Sequence, residues 1–395
     1  MIPKNQLMII MIIILTIFFS GCPGGKTRKT DTIKEQVSSM TLQEKIGQMV
    51  IAGFEGYEID DNVRQIIQEY YIGGVILFRR NVKNADQLLS LVNYLKQTNS
   101  VNKAPIFISA DEEGGEVSRM PDEIKKLPTN KTIGEINNNE LPYEIGNILG
   151  EELKTFGLNM DFAPVLDINS NPQNPVIGDR SFGDNPEIVS RIGIKTMKGI
   201  RDAGVISVVK HFPGHGDTSV DSHVGLPSVN HDMDRLMNFE LIPFIEAIKE
   251  EADAVMVAHI QMEKIDSDNP ASLSKSVITG LLRERLGFNG VIITDDLTMA
   301  AVINHYSIRD AAIKAVNAGS DIILVCHEHN NLIEVINGIK EAVKNGAISK
   351  SRIDESVYRI LKLKQRFGLK DDWIDSIDIE KINHKINHLN TYWTQ

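Results

Sequence analysis

Eight short apolar runs, separated by amphipathic stretches, follow one another along the sequence after residue 31. They cover residues 49–54, 74–78, 106–111, 160–166, 206–211, 254–259, 291–295 and 322–326. Most of them are apolar almost without interruption, as parallel strands covered on both faces must be. Strands that alternate with helices in this number predict a single α/β domain, a (β/α)8 TIM-type barrel with room for one irregular strand.

The stretches between the runs carry the signals of helices. Thr41 and Glu44 form a capping-box pattern, and residues 85–96 place leucine and valine at helical spacing. Gly287 and Gly319 follow two further periodic stretches and are typical of helix C-terminal caps. A doubly wound open sheet is the competing fold, but no Gly-x-Gly-x-x-Gly pattern follows the first run.

The N-terminus is typical of an export signal of the lipoprotein type, over residues 1–21. Lys4 precedes an apolar run at residues 7–19 that is too short to cross a bilayer comfortably. Small residues then precede Cys22, as in a bacterial lipobox, so we expect Cys22 to be lipidated. The protein would then be extracytoplasmic, anchored by lipid to the bacterial cell membrane through a flexible tether at residues 22–30. Ordinary signal cleavage and an uncleaved anchor are the alternatives.

The rest of the chain divides into a barrel domain over residues 31–370 and a polar, Asn-rich C-terminal stretch over residues 371–395, expected to be a peripheral helix or a tail. With Cys22 acylated, Cys326 has no cysteine to pair with, so stability must come from a packed core. The net charge of −11 argues against nucleic acid as a partner, because phosphate binding needs clustered lysine and arginine.

The segment 210–223 concentrates reactive side chains directly behind the fifth apolar run. It holds three histidines, two aspartates and a lysine within 14 positions. Other runs also end in polar residues: Asp111, Glu112, Glu113 and Arg119 at the third, Asp167 and Arg180 at the fourth, His259 at the sixth, and Asp295 and Asp296 at the seventh. Each residue alone has a structural explanation. Because the carboxyl ends of barrel strands form one face, the shared bias predicts a single polar site there.

Two chemistries fit these residue types. Histidines and aspartates on one face are suited to a zinc hydrolase, but the first run lacks the His-x-His pair that barrel metallohydrolases usually carry. The second is glycoside hydrolysis, which needs a carboxylate nucleophile and a proton donor. Asp295 is rigidly placed for the first role at a strand end. Spacing alone says only that adjacent strand residues face opposite ways, so that either Asp295 or Asp296 points into the site.

A proton donor is available in the loop after the fifth run. Asp221 and His223 are two residues apart, and a neighbouring carboxylate favours the imidazolium, so that histidine can act first as acid and then as base. Sugar hydroxyls would be bound by three cationic hydrogen-bond donors, Lys210, Arg180 and Arg119.

The motifs at these strand ends resemble those of the β-N-acetylhexosaminidases of glycoside hydrolase family 3, over residues 41–369. The motifs that carry the resemblance are Lys210-His211-Phe212-Pro213-Gly214-His215-Gly216, Asp221-Ser222-His223, Asp111-Glu112-Glu113-Gly114-Gly115, Asp161-Phe162-Ala163-Pro164-Val165, Gly178-Asp179-Arg180-Ser181-Phe182 and Thr294-Asp295-Asp296-Leu297. One departure is Glu112, which stands where the family motif has glutamine.

The resemblance implies a role for each site residue. Asp295 would be the nucleophile that forms a covalent glycosyl-enzyme, and His223, paired with Asp221, the acid/base on a mobile loop. The residues implied to bind the N-acetylglucosamine unit are Asp111, Arg119, Arg180, Lys210 and His211. The implied reaction is retaining, exo-acting removal of terminal β-N-acetylglucosamine from muropeptides or related glycans, with neither a metal nor an organic cofactor. Phosphorolysis, substrate-assisted hydrolysis and a non-catalytic, lipid-anchored glycan-binding protein remain the alternatives.

Overall fold

The computed structural model describes residues 31–393, and within them eight parallel strands close into a barrel. The strands in chain order are β1 (Val50–Ala52), β2 (Gly74–Leu77), β3 (Phe107–Ala110), β4 (Met160–Asp161), β5 (Ile206–Phe212), β6 (Ser228–Val229), β7 (Ala254–Val257), β8 (Gln261–Met262), β9 (Val291–Asp296) and β10 (Ile322–Val325). Around the barrel the order is β1, β10, β9, β7, β5, β4, β3 and β2, while β6 and β8 pair separately. Each predicted run supplies one barrel strand, which confirms the TIM-type barrel.

Helices surround the barrel and connect its strands. They are α1 (Thr32–Ser39), α2 (Leu42–Gln48), α3 (Asp61–Gln68), α4 (Ala85–Asn99), α5 (Asn130–Ile136), α6 (Leu141–Thr155), α7 (Pro186–Asp202), α8 (Met233–Asn238), α9 (Ile242–Lys249), α10 (Ala300–Ile303), α11 (Ile308–Ala318), α12 (His329–Lys344), α13 (Lys350–Arg366) and α14 (Ile379–Leu389). A π-helix over Ser276–Arg285 connects β8 to β9. Among residues 31–393, no helix combines the length and apolarity needed to span a bilayer.

Local sequence signals explain where several helices begin and end. At the start of α2, Thr41 Oγ1 accepts the backbone N–H of Glu44 at 3.2 Å, and Glu44 Oε2 accepts that of Thr41 at 2.6 Å. This reciprocal pair is the predicted capping box. At the end of α11, Gly319 has a φ of +123°, a backbone conformation that side-chain-bearing residues rarely adopt.

The irregular strand is β4. Its two residues pair with β3 and β5, and the ladder is then interrupted at Pro164, which has no N–H to donate. Pairing resumes at Val165, which bridges to Lys210, and the backbone N–H of Leu166 donates to the Lys210 carbonyl at 2.6 Å. The interruption delivers the following residue, Asp167, beside the end of β5.

The amino-end face of the barrel is closed by a buried charge cluster around Asp321. Its carboxylate accepts hydrogen bonds from Arg352 at 3.1 Å, Arg359 at 3.1 Å and Ser356 at 2.8 Å, and it also pairs with Arg283. Because this face lies opposite the strand ends that carry chemistry in TIM barrels, we assign the cluster to stability.

The segment after residue 371 packs closely on the barrel. Asp371 accepts the side-chain N–H of Asn99 at 2.7 Å, which fixes this segment to α4. Helix α14 packs on α6, where Lys385 Nζ lies 2.6 Å from both carboxylate oxygens of Glu151. The described part of the predicted tail is therefore ordered structure with its own helix.

Helix α14 also contacts the loop that follows β3. Asn383 accepts the backbone N–H of Lys125 at 2.8 Å and donates to the carbonyl of Glu123 at 2.9 Å. Arg119 belongs to the same loop, so α14 supports one wall of the carboxyl-end face of the barrel.

Candidate active site

The carboxyl ends of the barrel strands surround a cavity of about 520 Å³. Of the eight residues given a catalytic or sugar-binding role from the sequence, seven line it: Asp111, Arg119, Arg180, Lys210, His211, His223 and Asp295. Asp221 lies behind this lining, in contact with His223. Cys22 and the predicted export signal lie outside the described residues. The predicted polar site therefore corresponds to one cavity, built from strand ends and from the loops that follow them.

Lys210, at the end of β5, is the centre of a buried ion-pair network. Its ammonium group lies 2.7 Å from Asp111 Oδ1 and 2.7 Å from Glu113 Oε1, and the side chain is only 1% exposed. Burial alone would lower the pKa of Lys210, but the two carboxylates outweigh it and raise that pKa above its usual value. Lys210 is therefore a permanent cation at the base of the cavity.

Glu113 joins Lys210 to Arg180. The Arg180 Nε and Nη2 atoms donate to Glu113 Oε2 at 2.9 Å and Oε1 at 2.7 Å, a bidentate pair. Burial would raise the pKa of Glu113, but Lys210 and Arg180 lower it well below its ordinary range. Glu113 was predicted only as one of the polar residues at the end of the third run, without a role of its own. The available signal was its position two residues after Asp111, since alternate residues of an extended segment share a face.

His211 is oriented by Asp167, the residue that the interrupted β4 delivers. The His211 Nδ1 atom lies 2.6 Å from Asp167 Oδ2, and the backbone N–H of His215 donates to Asp167 Oδ1 at 2.7 Å. Burial would raise the pKa of Asp167, but these imidazole and amide contacts lower it, so the carboxylate stays ionised and can only accept. The proton therefore sits on Nδ1, which leaves the His211 Nε2 facing Arg180 Nη2 at 3.4 Å.

Asp295, at the end of β9, presents its carboxylate to the cavity. Its Oδ1 accepts the backbone N–H of Asp296 at 2.8 Å. Burial would raise the pKa of Asp295, but the nearby imidazoles of His259 and His211 and this N–H together lower it below its usual value. The carboxylate is therefore ionised at neutral pH, the state that a nucleophile requires.

His259 is a core residue, with no exposed surface. Its Nδ1 lies 2.6 Å from Ser272 Oγ and its Nε2 2.9 Å from the carbonyl oxygen of Asp296. His259 is thus fully engaged inside the barrel wall. Within residues 31–393, no group of three or more histidine, cysteine or acidic side chains is arranged to hold a metal ion.

The loop after β5 carries the predicted proton-transfer pair. His223 Nδ1 lies 2.7 Å from Asp221 Oδ1, and that same oxygen accepts the backbone N–H of His223 at 2.8 Å. Burial would raise the pKa of Asp221, but these contacts outweigh it and lower that pKa. The His223 side chain is 66% exposed, whereas Lys210 is almost completely buried. The proton-transfer pair thus lies on the accessible side of the cavity.

Two further contacts hold this loop. His215 is buried, and its ring nitrogens contact two hydroxyl groups: Nδ1 lies 2.7 Å from Thr218 Oγ1, and Nε2 lies 3.3 Å from Ser222 Oγ. On the other side of the loop, Asp217 Oδ2 lies 2.9 Å from His231 Nε2, an ion-pair distance without hydrogen-bond alignment. These contacts give His215 a structural role in the loop. The sequence offered no signal for His231, because it lies outside the segment that concentrates reactive side chains.

A barrel face that joins a rigid strand-end carboxylate, a histidine–aspartate pair and a set of buried cations supplies the kinds of group that glycoside hydrolysis requires. The glycosyl hydrolase family 3 N-terminal domain matches residues 41–363. The chain therefore belongs to glycosyl hydrolase family 3, as its motifs implied.

Similar proteins support the same assignment. Beta-hexosaminidase A of Pseudoalteromonas piscicida is 35% identical over 83% of this chain, and the match spans 61% of that protein's length. A beta-hexosaminidase of Tolumonas auensis is 37% identical over 72% of this chain and 85% of its own. The solved structure of a glycoside hydrolase family 3 beta-N-acetylglucosaminidase from Paenibacillus sp. str. FPU-7 aligns with a TM-score of 0.85 and 42% identity, over 90% of this chain and 69% of that one.

Proposed function

We propose that the protein is a retaining exo-β-N-acetylglucosaminidase that removes terminal β-linked N-acetylglucosamine from peptidoglycan fragments. The observation that carries this proposal is that the ionised Asp295 and His223, which contacts Asp221, line the same cavity. Proteins similar to this chain are named as beta-hexosaminidases and a beta-N-acetylglucosaminidase. The substrate is accordingly a glycan that ends in N-acetylglucosamine, and the site needs no metal or organic cofactor.

The first step transfers the sugar to the protein. An Asp295 oxygen attacks the anomeric carbon while the His223 imidazolium gives its proton to the glycosidic oxygen, and the bond between that carbon and that oxygen breaks. The leaving sugar departs as an alcohol. The N-acetylglucosamine unit is left as an ester on Asp295, and His223 is neutral.

The second step restores the protein. Neutral His223 takes a proton from water, the water oxygen attacks the anomeric carbon, and Asp295 leaves as a carboxylate. Two inversions give net retention. Asp221 accepts the hydrogen of His223 Nδ1 throughout, which keeps Nε2 as the atom that exchanges the proton.

The buried network would hold the sugar during both steps. Asp111 offers carboxylate oxygens to hydroxyl groups, while Lys210 and Arg180 offer donors on the same side of the cavity. Each of these groups already has a partner of opposite charge, so the network is organised before the sugar binds. Preorganised donors of this kind stabilise the transition state better than water does.

The decisive experiment is turnover of a chromogenic N-acetylglucosaminide and of defined muropeptides, with and without phosphate. The proposal requires free N-acetylglucosamine as product, with retained configuration by proton NMR. N-acetylglucosamine 1-phosphate would identify a phosphorylase instead. A fluorosugar adduct on Asp295, detected by mass spectrometry, would support the covalent route over assistance by the substrate's acetamide. Absence of turnover with every substrate would leave a glycan-binding role.

We further propose that Cys22 carries a lipid that anchors the protein to the outer side of the cell membrane. The support is the sequence alone: an apolar run at residues 7–19, small residues before Cys22, and a tether at residues 22–30. Labelled palmitate should enter the wild-type protein and not the Cys22→Ala variant, which should leave the membrane fraction. Equal membrane association of the two would refute the anchor.

A further inference from the structure

Three buried carboxyl groups lie together behind Asp111. Glu112 follows β3, Asp161 ends β4 and Glu152 lies on α6, and none is more than 1% exposed. The backbone N–H of Glu112 donates to Asp161 Oδ1 at 3.0 Å. Within the described residues, Asp161 Oδ2 and Glu152 Oε1 are buried without a hydrogen-bond partner. Burial raises the pKa of Glu112 to about 7 and the pKa values of the other two well above their usual range.

Glu112 connects this cluster to Arg119. The Glu112 Oε2 atom accepts the backbone N–H of Arg119 at 2.7 Å and the hydroxyl of Ser118 at 2.9 Å. The Arg119 Nη2 atom lies 3.8 Å from Asp111 Oδ2, while its Nε is buried without a hydrogen-bond partner. The Nε–H group of Arg119 therefore has no acceptor, and the carboxyl groups of Asp111 and Glu112 are the two that could accept a hydrogen bond from the guanidinium.

Arg119 also lines two cavities. One is the candidate active site, and the other is a second cavity of about 580 Å³ that Glu112 and Glu152 line. A movement of the Arg119 guanidinium toward either cavity therefore changes the sugar site directly.

We propose that Glu112 is a positioning residue whose charge state decides whether Arg119 serves the sugar site. This inference rests on the proposed function, since it concerns the binding of the same sugar. When Glu112 is neutral, the Arg119 guanidinium remains available to Asp111 and to the substrate. Ionised Glu112 competes for that guanidinium and draws it toward the second cavity, so the substrate loses a donor.

The surroundings of Glu112 give the direction of the effect. The charged or titratable groups that face the cluster are Glu152 on α6, Asp161 on β4, Lys210 on β5, Asp111 after β3, and Arg119. Of these, Arg119 is the cation that acts on Glu112 itself, whereas Lys210 acts on Asp161 and is held by Asp111 and Glu113. A new negative charge on Glu112 therefore acts mainly on Arg119, and binding should weaken as pH rises.

The test compares the wild type, Glu112→Gln and Glu116→Gln between pH 5.5 and 8.5. Glu116 lies in the same loop with an exposed side chain, so it controls for loss of one carboxylate there. In the wild type and Glu116→Gln, KM should rise about tenfold or more with pH, the loss expected for one charge-assisted hydrogen bond. In Glu112→Gln, KM should stay constant, while kcat keeps the same pH profile in all three proteins. Coincident KM profiles in wild type and Glu112→Gln would overturn the inference.

A direct measurement separates this inference from the proposed function. Binding of N-acetylglucosamine to the wild type, followed by calorimetry, needs no turnover and should weaken over the same pH range. By linkage, the ligand must raise the pKa of the Glu112 carboxyl, measured by carbon NMR on the wild-type protein. An unchanged pKa would overturn the role of Glu112 even in an active enzyme, whereas absence of turnover alone would refute only the proposed reaction.

Discussion

Asp295 and Asp296 are neighbours on β9, yet their carboxylates have different partners. Asp296 Oδ1 accepts the backbone N–H groups of Cys326 at 2.9 Å and of Thr298 at 3.0 Å. Asp295 Oδ1 accepts the N–H of Asp296, and its carboxylate lines the sugar cavity. One carboxylate thus joins β9 to β10, and its neighbour is available for chemistry.

We expect Asp295→Asn to lose turnover and Asp296→Asn to lose stability. Loss of the nucleophile should lower kcat about a thousandfold or more with little change in thermal stability. Asp296→Asn should cost about 1–3 kcal/mol of folding free energy, because buried N–H groups lose their charged acceptor. Steady-state kinetics and thermal unfolding of both variants measure this. A stable, inactive Asp296→Asn beside an active Asp295→Asn would reverse the assignment.

Removal of the proton-transfer pair should depend on the leaving group. His223→Ala should lower kcat/KM by about 10²–10⁴-fold for substrates with a sugar leaving group, and much less for an acidic phenol that needs no proton. Azide should restore turnover of the phenol substrate and give a glycosyl azide. His305→Ala, an exposed histidine outside the cavity, is the control. Equal losses for both substrates would exclude proton donation by His223.

Asp221→Asn should narrow the pH range of activity. The carboxylate, whose pKa the contacts from His223 lower despite burial, stays ionised and supports the imidazolium. Without it, the alkaline limb of kcat/KM should move to lower pH, because the imidazolium loses its charged partner. An unchanged alkaline limb would show that Asp221 does not support the protonated form.

Glu113→Gln should destabilise the barrel as well as weaken binding. Removal of its charge leaves Lys210 and Arg180 short of a buried partner, a loss of about 3–5 kcal/mol. The pKa of Glu113 lies below its unfolded value, so its contribution is complete above pH 4.5 and is lost as pH falls below that value. Urea unfolding from pH 3 to 7 should therefore show a shallower acid dependence in Glu113→Gln than in Glu116→Gln. Parallel acid slopes would contradict this ion-pair assignment.

His231 should affect turnover through the loop that it holds. His231→Gln removes the imidazole contact with Asp217 and should lower kcat about tenfold through misplacement of His223, with a smaller change in KM. His388→Gln, at an exposed position on α14, provides the control. An unchanged kcat together with a lower melting temperature would restrict His231 to a structural role.

Most of the barrel could be predicted because its strands are continuous apolar runs that differ plainly from the helices between them. The apolar run at residues 160–166 predicts a longer strand than β4, which has two residues. Pro164 has no N–H to donate and interrupts the hydrogen-bond ladder, which the apolar pattern does not show. The pair β6 and β8 was not predicted, since two-residue strands leave no periodic pattern. The helix predicted before Gly287 is a π-helix over Ser276–Arg285, and periodicity does not distinguish its wider turn from that of an α-helix.

The site was predictable at strand ends and much less so between them. The TIM fold alone requires Asp111, Lys210 and Asp295 to share one face, so their meeting follows from the strand assignment. The role of Glu113 depends on Arg180, 67 residues away, whose loop carries no regular pattern. Contacts of that kind are fixed by tertiary packing and leave no local trace in the sequence.

Helix α14 has a consequence for how the protein would fail on heating. Asn383 fastens the backbone at residues 123 and 125, in the loop that also carries Arg119. A peripheral helix opens at lower temperature than barrel strands, because fewer contacts must be broken to release it. Release of α14 would remove the support of the loop that carries Arg119 while the barrel is still folded. Warming should therefore abolish sugar affinity first and secondary structure later, which makes inactivation an early, local event separate from unfolding.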